Sequence, residues 1–173
     1  MNKKTKTMNF KTLLLILIGF LLLSCKKEPS SKKDKQNKIL VLNIGDIENF
    51  NNVKDLKLDS IYLNLLNRET VTDSVRKNIF NSWSNFHDKL DDLIKKENFE
   101  WETDSLDVKV FHKVYFTKDG EIEYYLYNIK SEFVSLEKKA EFDELIKKFI
   151  PNVKFEIKRK EKYSQCGTNV YKY

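Results

Sequence analysis

Residues 108–127, VKVFHKVYFTKDGEIEYYLY, decide how the body of this chain folds. Val108, Val110, His112, Val114 and Phe116 alternate with Lys109, Phe111, Lys113 and Tyr115, the two-residue period of a strand with one buried face. Thr117-Lys118-Asp119-Gly120 supplies turn chemistry, because glycine takes a positive φ without strain. Ile122, Tyr124 and Leu126 then alternate with Glu121, Glu123, Tyr125 and Tyr127, so the stretch predicts an antiparallel hairpin. On this reading Phe111, Tyr115, Tyr125 and Tyr127 share the face opposite Val110 and Val114, together with Lys109, Lys113 and Glu123. Aromatic rings with a polar rim suit a recognition patch. The same rings are also explained by stacking across strands, or by cover from residues 39–66.

Outward from the hairpin the period changes. Apolar residues at 71, 75, 79, 80, 83, 86, 90, 93 and 94 follow helical spacing, with Thr70 or Thr72 as N-cap and Lys95 and Lys96 at the C-terminal end of the dipole. Beyond the hairpin, Ser135 caps a second helix over Leu136 to Phe149, and Pro151 stops it. Val153, Phe155 and Ile157 predict a third strand, Lys158-Arg159-Lys160 a basic turn, and Tyr163 to Tyr171 a fourth strand. Ahead of the first helix the signal is weaker: Ile39 to Leu42 reads as a short buried strand, Asn49 to Asn52 as a turn, and Leu58 to Leu66 has helical spacing. The expected architecture is α+β, with helices on one face of a small, mainly antiparallel sheet in the order helix, hairpin, helix, one or two strands. That order, with Val108 to Phe116 followed by the Asp119-Gly120 turn, is similar to the C-terminal domain of TonB-like periplasmic proteins over residues 71–173. The resemblance implies a small envelope module that recruits partners through a sheet edge. Energy transduction does not carry over, because the chain has no Pro-rich linker and starts differently.

The start points to an address. A basic stretch from Asn2 to Lys11 precedes an apolar run from Leu13 to Leu23, and Leu22-Leu23-Ser24-Cys25 follows at its end. This is the layout of a signal peptide, and the run falls short of the roughly 20 apolar residues that a membrane-spanning helix needs. The last four residues resemble the lipobox of bacterial lipoproteins. The resemblance implies cleavage before Cys25, a lipid on its sulfur and anchorage in the bacterial cell envelope. Residues 1–24 are then a signal, residues 25–38 a disordered Lys-rich tether, and residues 39–173 one domain. The tether lysines either meet anionic head groups or simply keep the segment soluble.

Charge divides at the same boundary. The chain has 173 residues, 32 Lys plus Arg against 26 Asp plus Glu, and a net charge of +6. Ten of the basic residues and two of the acids lie before Ile39, which leaves the body with 22 against 24. Such a body, in such a compartment, predicts no nucleic-acid partner. Apolar residues at 40% argue for a compact core, and two cysteines exclude a disulfide scaffold.

Candidate chemistry is sparse. With Cys25 lipidated, Cys166 is the remaining thiol, and an enzyme would need His87 or His112 beside it as base. The alternative is a small packed residue, with Gly167 allowing a bulge or close approach. Two distant histidines and one thiol do not make a structural zinc site. The acidic stretch Glu100, Glu102, Asp104, Asp107 lacks the glycine turn and closing Glu of a calcium loop. The expectation is therefore a non-catalytic domain with no cofactor and no metal, held to the membrane through Cys25 and binding another envelope protein.

Overall fold

The computed structural model describes residues 39–67, 71–103 and 107–172. The expected signal and tether, with Cys25, lie outside the described residues, as do Thr70 and Asp104. The elements in chain order are β1 (Leu40–Asn43), α1 (Ile47–Asp55), α2 (Leu58–Ile61), β2 (Leu63–Asn64), α3 (Asp73–Lys96), β3 (Asp107–Phe116), β4 (Ile122–Ile129), α4 (Leu136–Phe149), a 3-10 turn (Ile150–Asn152) and β5 (Tyr163–Lys172).

The hairpin forms as the turn chemistry demands. Gly120 sits at φ 87°, and a Cβ there would stand 2.2 Å from the carbonyl oxygen of Phe155. Thr72 caps α3 through Val75 N, and Ser135 caps α4 through Lys138 N at 3.1 Å. Both long helices carry an apolar stripe onto one face of the sheet. There Ile79, Trp83, Phe86 and Leu90 of α3 and Phe142, Leu145, Ile146 and Phe149 of α4 pack on Val108, Val110, Val114 and Phe116. Truncating one such ring typically costs about 3–5 kcal/mol.

The sheet corrects two expectations. Its order is β1-β4-β3-β5-β2, and it is mixed rather than mainly antiparallel. The three central strands are antiparallel, while β1 lies parallel to β4 and β2 parallel to β5. Helices also cover both faces rather than one. Val53 of α1 and Leu58 of α2, with Tyr62, close over Tyr115 and Leu126 on the face that α3 and α4 leave open. Asn49 to Asn52 is accordingly helix rather than turn, because Asp46 accepts from Glu48 N and Asn49 N and so starts α1 ahead of it. Only one turn of the helix expected over Leu58 to Leu66 forms; the chain then joins β5 at Leu63.

Residues 153–157 form no ladder. Phe155 and Ile157 turn inward as their alternation suggests, but Phe155 N donates to Gly120 O at 2.9 Å and Arg159 N to Lys118 O at 2.9 Å. The segment thus closes over the hairpin turn rather than adding a strand. The single antiparallel strand after α4 is β5, which pairs with β3 over its whole length.

Candidate functional site

The four aromatic residues of the hairpin do not share a surface. Tyr115 pairs with Tyr124 and Val114 with Tyr125, but the register then shifts so that Phe116 meets Ile122. Glu123 is the extra residue of a β-bulge, and it inverts the alternation along β4. Ile122, Tyr125, Tyr127 and Ile129 therefore face α3 and α4, while Tyr124 and Leu126 join Phe111 and Tyr115 on the other side. Tyr125 and Tyr127 are 0% and 1% exposed in the inner core, and Tyr115 is 2% exposed under Leu58 and Tyr62. Of the four, Phe111 alone is partly open, with Lys130 Nζ 5.8 Å from its ring centre.

On the outer face the phenols end at carboxylates. Tyr62, Tyr115 and Tyr124 meet edge to face, with ring centres 5.1 to 6.2 Å apart. Tyr115 OH donates to Asp59 Oδ1 at 3.0 Å, Lys113 Nζ pairs with Asp59 Oδ2 at 2.7 Å, and Tyr62 OH donates to Glu123 Oε2 at 2.8 Å. Partial burial pushes the Asp59 carboxyl up, but the hydrogen bonds from Lys113 and Tyr115 outweigh it and leave the group below its ordinary value. The bulged Glu123 also takes Lys162 at 2.8 Å. This is a charged lock that holds α2 on the sheet.

The inner face contains the two histidines. His87 of α3 and His112 of β3 have ring centres 4.7 Å apart, and Trp83 closes on His87 at 4.5 Å. His112 Nδ1 and Tyr125 OH share a hydrogen bond of 2.9 Å. Both nitrogens of His87 and Nε2 of His112 are buried with no hydrogen-bond partner. Burial pushes His87 down to about 3 and His112 well below its ordinary value, the latter aided by His87. Both imidazoles are therefore neutral at physiological pH. Among the described residues no three His, Cys, Asp or Glu side chains are placed to hold a metal ion.

Cys166 stands on the other side of the sheet. It pairs with Lys113, while Gly167 pairs with His112, so Cys166 shares the outer face with Tyr115 and both imidazoles lie on the inner one. A thiol–imidazole pair cannot form across the sheet. The close approach expected at Gly167 is present: a Cβ there would stand 2.5 Å from Trp83 Nε1.

The recesses are lined in part by charged side chains. One of about 700 Å³ between β1 and α4 contains Asp143, already held by Tyr127 OH at 2.8 Å and Lys147 at 2.7 Å. Hydrogen bonds from Lys147 to Asp143 and Glu144 raise that ammonium to about 12. Phe111 and Val170, the latter 44% exposed, lie on the outer face beyond the cover of α1 and α2. Sequence reading pointed to Phe111 but not to Val170 beside it, and it missed the contact between the two imidazoles, because the long-range pairing of β3, β5 and α3 leaves no local mark.

The geometry defines an α+β body with an open strip at one end of its outer face. Compared with family models, curated proteins and solved structures, the chain matches none.

Proposed function

We propose that the chain is a bacterial envelope lipoprotein, anchored through lipid on Cys25, whose α+β body binds another envelope protein without catalysing a reaction. The observation that carries this reading is the sequence Leu22-Leu23-Ser24-Cys25 at the end of an apolar run, followed by a polar segment that leads into the body. The separation of Cys166 from both imidazoles removes support for a thiol enzyme. The surface that suits a partner is the uncovered end of the outer face, with Phe111 and Val170 flanked by Lys109 and Lys130. Such a mix of exposed apolar and cationic groups is what a modest protein interface uses.

The test is the full chain with Cys25→Ser. Loss of the acyl mass and release from membranes, or accumulation uncut, is the expected result; an unchanged mature mass and unchanged fractionation refute the anchor. For the partner, a photo-crosslinker at Phe111 should capture a protein that the same probe at buried Phe142 does not. Capture of no specific protein from Phe111 in intact cells would remove the binding reading.

A further inference from the structure

The register places five strand ends together. Leu40 pairs with Tyr124 near the start of β4, Tyr163 with Phe116 at the end of β3, and Leu63 with Tyr163. The body therefore receives the chain from residue 38 at the same end of the sheet that carries the hairpin turn, β2 and the basic loop before β5. At this end Lys118, Lys158, Arg159 and Lys160 are exposed, and among the described residues none of them pairs with a carboxylate. Lys154 and Lys162 lie beside them, neutralised by Glu121 at 3.3 Å and Glu123 at 2.8 Å, and Asp119 and Glu161 are the other carboxylates here. Within a body that carries two more acids than bases, this end is locally positive.

The same end is also apolar. Arg159, Lys160 and Lys162 form one wall of a groove of about 590 Å³, and Leu63 and Val75 contribute to its lining. Leu63 is 60% exposed and Ile61, close by in the chain, 56%. Exposed aliphatic side chains among unpaired cations are the composition of a surface that lies on anionic lipid.

We propose that this end of the body docks on an anionic phospholipid surface, with Leu63 and Val75 against the head-group layer and Lys118, Lys158, Arg159 and Lys160 facing lipid phosphates. The inference rests on the anchored reading above, which also supplies the occupant. Thirteen residues separate Cys25 from Ile39, and a chain of that length spans at most about 45 Å. A body on such a tether meets the bilayer at an effective concentration that reaches the millimolar range, so a contact too weak to recruit a free protein is populated. The arrangement turns the opposite end, with Phe111 and Val170, away from the membrane.

Hydrogen exchange of residues 156–164 in the lipidated full chain tests this, with the protein reconstituted into vesicles of zwitterionic lipid alone or with about a third anionic lipid. Exchange should slow at least threefold in the anionic vesicles, return to the zwitterionic rate in high salt, and stay fast in the triple variant Lys158→Glu, Arg159→Glu, Lys160→Glu. That variant changes only exposed side chains, and its unchanged melting temperature checks the fold. Equal exchange in both vesicle types, with acyl mass present on Cys25, overturns the docking alone. Acyl mass absent from Cys25 overturns the anchor and the docking together. Slowing that survives the charge reversal shows that the cations do not hold this end and overturns the anionic-lipid reading, and slowing that occurs only in native envelope vesicles and not in pure lipid assigns this end to a protein and overturns it as well.

Discussion

The two faces of the sheet bury tyrosines by different means. On the inner face Tyr125 ends at an imidazole and Tyr127 at Asp143, beneath two long helices that pack aromatic rings on the strands. On the outer face Tyr62 and Tyr115 end at Glu123 and Asp59, which remain in contact with water and with lysines. Inner burial rests on shape and apolar area, so its polar atoms depend on the surrounding fit. Outer burial rests on a short cover of one helix and one helical turn, pinned by charged hydrogen bonds, so it can loosen without emptying the core.

The largest effect should come from Phe142→Ala, which removes a fully buried ring in contact with Trp101, Tyr127 and His112. A loss of about 3–5 kcal/mol is expected in urea unfolding, and a loss under 1 kcal/mol would mean that the inner face collapses around the gap.

Acid should separate the faces next. The folded pKa of His87 lies at about 3, below its unfolded value near 6.5, so the unfolded chain takes the proton first. The imidazole contribution is then constant above about pH 6.5 and falls below it, by up to about 1.4 kcal/mol per pH unit for each imidazole, with His87 contributing down to about pH 3. His112 shifts in the same direction, so the two slopes add at first. Denaturation between pH 7 and 5, where most carboxylates stay ionised, isolates this contribution. His87→Leu should roughly halve the slope, and an unchanged slope would place the titration elsewhere.

The smallest effect belongs to the outer face. Tyr115→Phe deletes one hydrogen bond to a carboxylate that still holds Lys113, at a cost of about 1 kcal/mol. A cost equal to that of Phe142→Ala would show that the cover is integral to the core.

The frame of the inner face was legible in the residues. The apolar stripes and N-caps of α3 and α4 act over one or two turns of chain, and the Asp119-Gly120 turn is local, so spacing alone finds all three. The phase of β4 was not legible, because the bulge at Glu123 shows only in the pairing of β4 with β3. One inserted residue moved Tyr125 and Tyr127 from the expected patch into the core. Ile39 to Leu42 was legible as the strand that became β1, but its partner and all of β2 were hidden for a related reason: Leu40 finds Tyr124 and Leu63 finds Tyr163 by parallel pairing, which needs no turn and writes no signal between the partners. The basic loop at residues 158–160 was visible as charge, but its neighbours Leu63 and Val75 come from other parts of the chain.

The parallel pairing of β1 also sets a schedule for folding. During synthesis β1 emerges early, yet its partner Tyr124 lies 84 residues behind Leu40, a delay of about 4–17 s at ordinary elongation rates. For that interval Leu40, Val41 and Leu42 have no native strand to join, and the β3–β4 hairpin, whose contacts are local, must form first. The first strand of the described residues is thus among the last to be paired.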